Sequence, residues 1–206
     1  MARRIHITGA SGAGTTTPGQ HLAREWNCAH FDTGDFYWLP TDPPFQAKRE
    51  ISERLRLLSA ALHGDDWVLS GSLAGWGDPL IPLFTAVVYL EAPHEVCLAR
   101  LRRREAQRYG AQNLEPGGPR YEQHVAFLAW AASYETGDRG GRSRMRHQGW
   151  LAALPCRVIA VCSDQPLERL YDAVRAEIAA TSAASSRSDR TATDAPPQSS
   201  DALRSK

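Results

Sequence analysis

The chain has 206 residues, 42% hydrophobic and 23% charged, a balance that suits one soluble globular domain with a sizeable core. A formal net charge of +1 gives no global field for nucleic acid, so any attraction for anions must come from local clusters. No stretch reaches the ~20 apolar residues of a membrane helix, and the N-terminus carries no apolar run of signal-peptide length. The four cysteines lack CxxC spacing, so a zinc site is not expected and reduced thiols in a cytoplasmic protein are.

Residues 4–8 read as a short strand that runs into a glycine loop at 9–16. A helix is expected from Thr16 to about Trp26; Pro18 is compatible because the first helical turn needs no internal N–H bonds. Residues 28–31 form a second short strand ending at Asp32, and the proline-rich segment 40–45 is a loop. Ile51, Leu55, Leu58 and Leu62 recur at helical spacing over 48–63. Residues 67–71 read as a third buried strand, and 86–90 is a continuous apolar run, as an interior parallel strand is. A basic helix follows over 94–108. Amphipathic helices over 121–134 and up to about 153, a last strand at 157–161 and a last helix at 167–178 complete the series. Strands alternating with helices call for an α/β fold, with a central parallel sheet of about five strands and helices on both faces. From 181 to 206 the composition turns to Ser, Thr, Ala and Pro without aromatics, the signature of a disordered tail.

The glycine loop carries the chemistry. Gly9, Gly14 and Thr16 match G-x-x-x-x-G-K-[ST], the P-loop pattern. Such a loop turns the N–H groups of Gly9, Ala10, Ser11, Gly12, Ala13, Gly14, Thr15, Thr16 and Thr17 toward phosphate oxygens, and the following helix end adds partial positive charge. Thr16 is the expected hydroxyl ligand of Mg²⁺. Thr15 stands where the pattern has lysine, so another cation must neutralise the terminal phosphates if catalysis survives. Lys48 and Arg49 are candidates by residue type alone. The opening of the loop is also compatible with a dinucleotide fold of the short-chain dehydrogenase kind. Ala13 and Thr15 stand where that family has further glycines, and no tyrosine has lysine four residues later.

Asp32 and Asp35 follow the second strand, at the sheet edge where ligands bind. One can orient Mg²⁺ while the other takes a proton from an attacking hydroxyl; an Asx-turn capping the next segment competes as the reading of either one. Arg100, Arg104 and Arg108 recur every four residues on one helical face. A second cluster, Arg139, Arg142, Arg144 and Arg146, follows a glycine-rich stretch. Guanidinium forks suit phosphate, and with Tyr109 the only aromatic nearby, nucleic acid is the poorer match. Trp38 and Trp76 both follow strand ends and are candidates to line an acceptor pocket. No aspartate of Walker B type ends an apolar strand: Ser70 follows Leu69 and Glu91 follows Leu90.

The order of these features resembles the nucleoside-monophosphate and small-molecule kinase branch of P-loop proteins. Residues 32–34 (Asp-Thr-Gly) are similar to cytidylate kinases, and the paired aspartates to shikimate and gluconate kinases. Residues 12–17 resemble the Gly-x-Gly-Thr-Thr-Thr loop of bacterial adenylate-kinase-like and AAA-family ATPases, which lack the lysine. The likeness covers about residues 4–180. It implies a P-loop NTPase three-layer sandwich over residues 1–180, with a small helical lid near 104–146. It also implies ATP and Mg²⁺ as cofactors and transfer of the terminal phosphoryl group to a small-molecule or nucleotide acceptor. In that scheme Asp35, Asp32, Arg100 and Arg104 are catalytic, Thr16 and Asp32 hold the metal, and Arg142 belongs to the lid that closes on the donor. A nucleotide-binding module or ATPase without kinase activity is the alternative that Thr15 favours.

Overall fold

The computed structural model describes residues 2–137 and 142–193, with side chains described to residue 180. Five strands form one parallel sheet in the order β2-β3-β1-β4-β5. They are β1 (Arg3–Gly9), β2 (Ala29–Asp32), β3 (Asp66–Ser70), β4 (Ala86–Glu91) and β5 (Arg157–Cys162). The central strand β1 pairs Ile5 with Val68 of β3 and Ile7 with Val88 of β4. The α/β sandwich and five-stranded parallel sheet agree with the sequence reading.

Because side chains alternate along a strand, the sheet buries one apolar set on each face. Ile5, Ile7, Val68, Val88 and Leu90 pack with Leu22 and Ala23 of α1 (Thr16–Glu25) and with Leu170, Val174 and Ile178 of α7 (Leu167–Thr193). On the other face Trp67, Leu69, Val87 and Tyr89 meet Leu58 and Leu62 at the end of α3 (Ile51–Ala61) and Leu151 of α6 (Arg144–Ala152). The remaining helices are α2 (Thr33–Tyr37), α4 (His94–Tyr109) and α5 (Tyr121–Ala132), with 3-10 turns at Asp78–Leu83 and Ala111–Leu114. Periodicity missed α2, which a side-chain cap rather than an apolar stripe initiates. The last helix runs to Thr193, into the segment that composition assigns to a disordered tail. Residues 194–206 lie outside the described residues.

Two histidines are buried on the second face. The His6 ring stacks on Phe84 with centroids 5.1 Å apart and sits edge-on to Trp150. Its Nδ1 lies 3.1 Å from the Leu69 carbonyl, while its Nε2 has no partner. His147 Nδ1 lies 2.9 Å from the Tyr134 hydroxyl, itself 3.1 Å from that of Tyr89. Burial pushes both imidazoles down to about 4, with His147 adding to the effect on His6 and Arg142 to that on His147. An unfolded histidine takes its proton near pH 6.5. Between these values the unfolded chain binds more protons, so stability falls as pH drops from about 6.5 to 4, by about 3 kcal/mol per ring. Urea midpoints at pH 7.5 and 4.5 should show this, and His6→Leu should remove about half of the difference.

Candidate active site

β1 delivers its C-terminus into the glycine loop. A Cβ on Gly9 would lie 2.7 Å from the Leu90 carbonyl oxygen, so glycine lets the loop start flush against β4. Gly12 and Gly14 take φ of +87° and +88°, the left-handed region that other residues avoid. Thr15 occupies the N-cap position of α1, yet its side chain makes no capping hydrogen bond, and the first turn holds no acidic residue. The first N–H groups of this helix are therefore left without a side-chain acceptor, the condition in which a helix start receives an anion.

Asp32 ends β2 beneath the loop. Its Oδ2 accepts the Thr16 hydroxyl at 2.8 Å and its Oδ1 accepts the Gly34 N–H at 2.9 Å. The capping role and the proximity to Thr16 thus coexist in one carboxylate. The cap starts α2, which carries Asp35 to the cleft. Burial raises the Asp35 carboxyl above the usual aspartate range, the Asp32 charge adds to this, and His30 opposes it. Gly71 and Ser72 line the same end, with the Ser72 N–H held by Thr33 Oγ1 at 3.1 Å.

Ser70 occupies the strand end where a Walker B carboxylate was sought, in register with Asp32. Its hydroxyl donates to the Thr15 carbonyl at 3.1 Å and meets His30 Nε2 at 2.9 Å. A Cβ on Gly19 would lie 2.1 Å from this hydroxyl, so α1 sits on the pair only because glycine is there. Sequence reasoning missed this strut, whose residues are 40 and 55 positions apart. The unusual glycine within a helix is the one trace of it.

The cleft above has a volume of about 1340 Å³ and, among the described residues, holds six arginines (Arg100, Arg103, Arg104, Arg108, Arg120, Arg142) against three carboxylates (Asp32, Asp35, Glu105). Arg100 is tied to the loop itself. Its Nη1 lies 3.4 Å from the Ala13 carbonyl oxygen and its Nη2 donates to the Ser163 carbonyl at 2.8 Å. The Ser163 hydroxyl also donates to the Ala13 carbonyl, at 2.8 Å. Arg104 is open to solvent yet sits between protein walls; desolvation and then Arg108 lower its affinity for a proton. Desolvation does the same to Arg142, which borders Ser11 of the loop and lies over the Trp130 ring at 5.5 Å.

Other candidates lie elsewhere. Arg144 pairs with Glu135 at 2.6 Å, Arg146 is outside the cleft lining, and Arg139 lies outside the described residues. Lys48 pairs by backbone with Trp38, and Arg49 donates to the Phe36 and Trp38 carbonyls at 3.0 and 3.3 Å, so neither reaches the loop. Trp38 lines the cleft, whereas Trp76 is buried with Leu73 and Leu80. Arg103 also lines the cleft.

A parallel sheet in this order, with a glycine loop leaving its central strand, is the fold of a P-loop kinase-like protein. Residues 5–117 match the AAA domain family (AAA_18), and the chain belongs to that family. Over 175 residues it is 43% identical to the uncharacterized protein YqaC of Bacillus subtilis (strain 168), covering 84% of this chain and 96% of that one. A gluconokinase from Sinorhizobium meliloti 1021 aligns with it in structure over 86% of this chain and 92% of its own, with TM-score 0.51 and 18% identity, a likeness of fold. The dehydrogenase alternative fails on topology. A dinucleotide fold places β2 beside β1, whereas here β3 takes that place.

Proposed function

We propose that this chain binds ATP with Mg²⁺ in the cleft and transfers its terminal phosphoryl group to a small acceptor. The observation that carries this reading is Arg100. Its guanidinium is bonded to the loop carbonyl of Ala13 and lies next to Gly14, which puts a fixed cation beside the loop where Thr15 supplies none. The loop N–H groups receive the donor phosphates. Thr16 and Asp32, joined at 2.8 Å, fit the small share of protein ligands that Mg²⁺ takes alongside phosphates and waters. The ion would spread the charge of the transferred group. Arg100 and Arg104 neutralise charge that develops in transfer, and Arg142 borders the loop at Ser11. Asp35 accepts the proton of the attacking hydroxyl as its oxygen bonds to phosphorus and the bond to the leaving diphosphate breaks. A carboxyl whose proton affinity is raised is the better base.

The test is ADP release from ATP against a panel of hydroxyl and phosphate acceptors. Asp35→Asn should lower kcat by about 10²–10⁴-fold. It should not lower the thermal midpoint, because the fold already disfavours the ionised carboxylate. In the wild type the rate should fall as pH drops through an ionisation above the ordinary aspartate range. Tight ATP binding without transfer to any acceptor would leave a nucleotide-binding module, the reading that Ser70 in place of a carboxylate favours.

A further inference from the structure

Arg104, Arg108, Arg120 and Arg142 make no direct ion pair among the described residues, although the charges of Glu105 and Asp32 act on Arg104 from further away. Aromatic faces hold them instead. Arg108 lies over Phe45 at 4.7 Å, Arg120 over Tyr109 at 4.0 Å, and Arg104 over Phe127 at 6.0 Å. A ring orients a guanidinium without neutralising it, so the fork keeps its charge for a ligand, although one Arg120 N–H is donated to Gln123 Oε1 at 3.5 Å.

These arginines divide by position. Arg100 touches the loop, whereas Arg108 lies two turns further along α4, about 12 Å at 1.5 Å per residue. Arg100, and not Arg108, is therefore the arginine seen beside the place where the loop would hold a phosphate. The same end carries His124, whose Nδ1 is shielded from solvent and has no hydrogen-bond partner. It also carries the tip of the 39–48 loop, where Phe45 meets Arg108 and Gln46 accepts from Gln123 at 3.4 Å. The cleft of about 1340 Å³ exceeds the ~300–1,000 Å³ usual for one small ligand.

We infer that the acceptor is a phosphorylated polyhydroxy compound, whose phosphomonoester is read by Arg108 and Arg120 at the far end of the cleft while a hydroxyl is presented at Asp35. This rests on the phosphotransfer reading and narrows its acceptor. Two forked cations match the two charges and three terminal oxygens of a phosphomonoester; a carboxylate would leave one of them uncompensated. The step forms a new O–P bond at the sugar hydroxyl, breaks the bond to the leaving diphosphate, and moves the hydroxyl proton to Asp35. The product carries two phosphates on separate carbons.

Calorimetry of the full chain with ribose 5-phosphate and glucose 6-phosphate, each with and without a non-hydrolysable ATP analogue, tests this. Ribose, glucose and gluconate are the controls. The phosphorylated sugars should bind and the controls should bind at least 10-fold more weakly. Arg108→Ala and Arg120→Ala should each weaken sugar-phosphate binding by about 10- to 100-fold, the range for charge-assisted hydrogen bonds, with affinity for the analogue held within about 3-fold. Phe45→Ala, which removes the ring under Arg108 together with its edge contact to Trp38, should give a smaller loss in the same direction. Gluconate or a neutral sugar binding as tightly as its phosphorylated counterpart overturns the inference. So does sugar-phosphate binding that is indifferent to both arginines, or turnover in which AMP is phosphorylated on its own phosphate. Failure of the analogue to bind overturns the phosphotransfer reading instead, and the titrations without it still decide this one.

Discussion

Replacing Arg100 with alanine should slow phosphoryl transfer by about 10²–10³-fold, the loss seen when one positioned donor to a transition-state charge is removed. Nucleotide affinity should change much less, because the loop N–H groups and the start of α1 remain. The guanidinium is attached to the carbonyls of Ala13 and Ser163 and to the Ser163 hydroxyl, with Asp164 at 4.0 Å, and those contacts hold it at the loop. Arg100→Lys keeps the charge but not the fork, so it should recover only part of the rate. Thr15→Lys gives the sharper comparison. In the wild-type background it adds a second cation next to Arg100 and should bring no gain. In the Arg100→Ala background it restores a charge at the loop and should recover activity. Steady-state kcat and KM of the five proteins, with thermal midpoints as a folding control, measure the effect. Equal rates for wild type and Arg100→Ala would remove Arg100 from the mechanism.

Gly12→Ala should be the most damaging single methyl in the loop. The added Cβ would lie 2.3 Å from the carbonyl oxygen and 2.9 Å from the carbonyl carbon of Cys97, both backbone atoms in the first turns of α4. The residue would also have to hold φ of +87°. Left-handed backbone costs a non-glycine residue about 1–2 kcal/mol and overpacking a further 1–3, so about 2–5 kcal/mol of stability should be lost. Gly14→Ala separates the two effects. Its φ is +88°, but its Cβ would meet nothing closer than Arg100 Nη1 at 3.9 Å. It should lose only the backbone share, about 1–2 kcal/mol. Urea denaturation of both variants decides the matter; equal losses would mean that the Cys97 contact relaxes freely.

What the sequence made legible was local. Residues 9–16 form one contiguous motif, and apolar runs such as 86–90 mark strands, so the loop and the sheet could be read in advance. The i, i+4 spacing of Arg100, Arg104 and Arg108 likewise puts them on one face of a helix. Their partners were not legible. Arg108 rests on Phe45 and Arg100 on Ala13 and Ser163, contacts between residues remote in the chain. The strut of His30 and Ser70 left only Gly19 as a trace for the same reason, since nothing local distinguishes a serine that supports a loop carbonyl from one that ends a strand. Trp38 and Trp76 looked alike because both follow strand ends; only the fold sends one to the cleft and the other into the core.

The close seating of Gly12 on Cys97, with Arg100 bonded to Ala13, makes the phosphate cradle and the arginine helix one mechanical unit. In the lysine form of the loop the cation is covalently part of the cradle and travels with it. Here the two belong to different stretches of chain, and only tertiary packing keeps them aligned. Mild denaturant that loosens α4 from the loop should then silence the site while the sheet and its circular dichroism persist. Grafting residues 9–17 onto another scaffold would carry over a cradle without its charge.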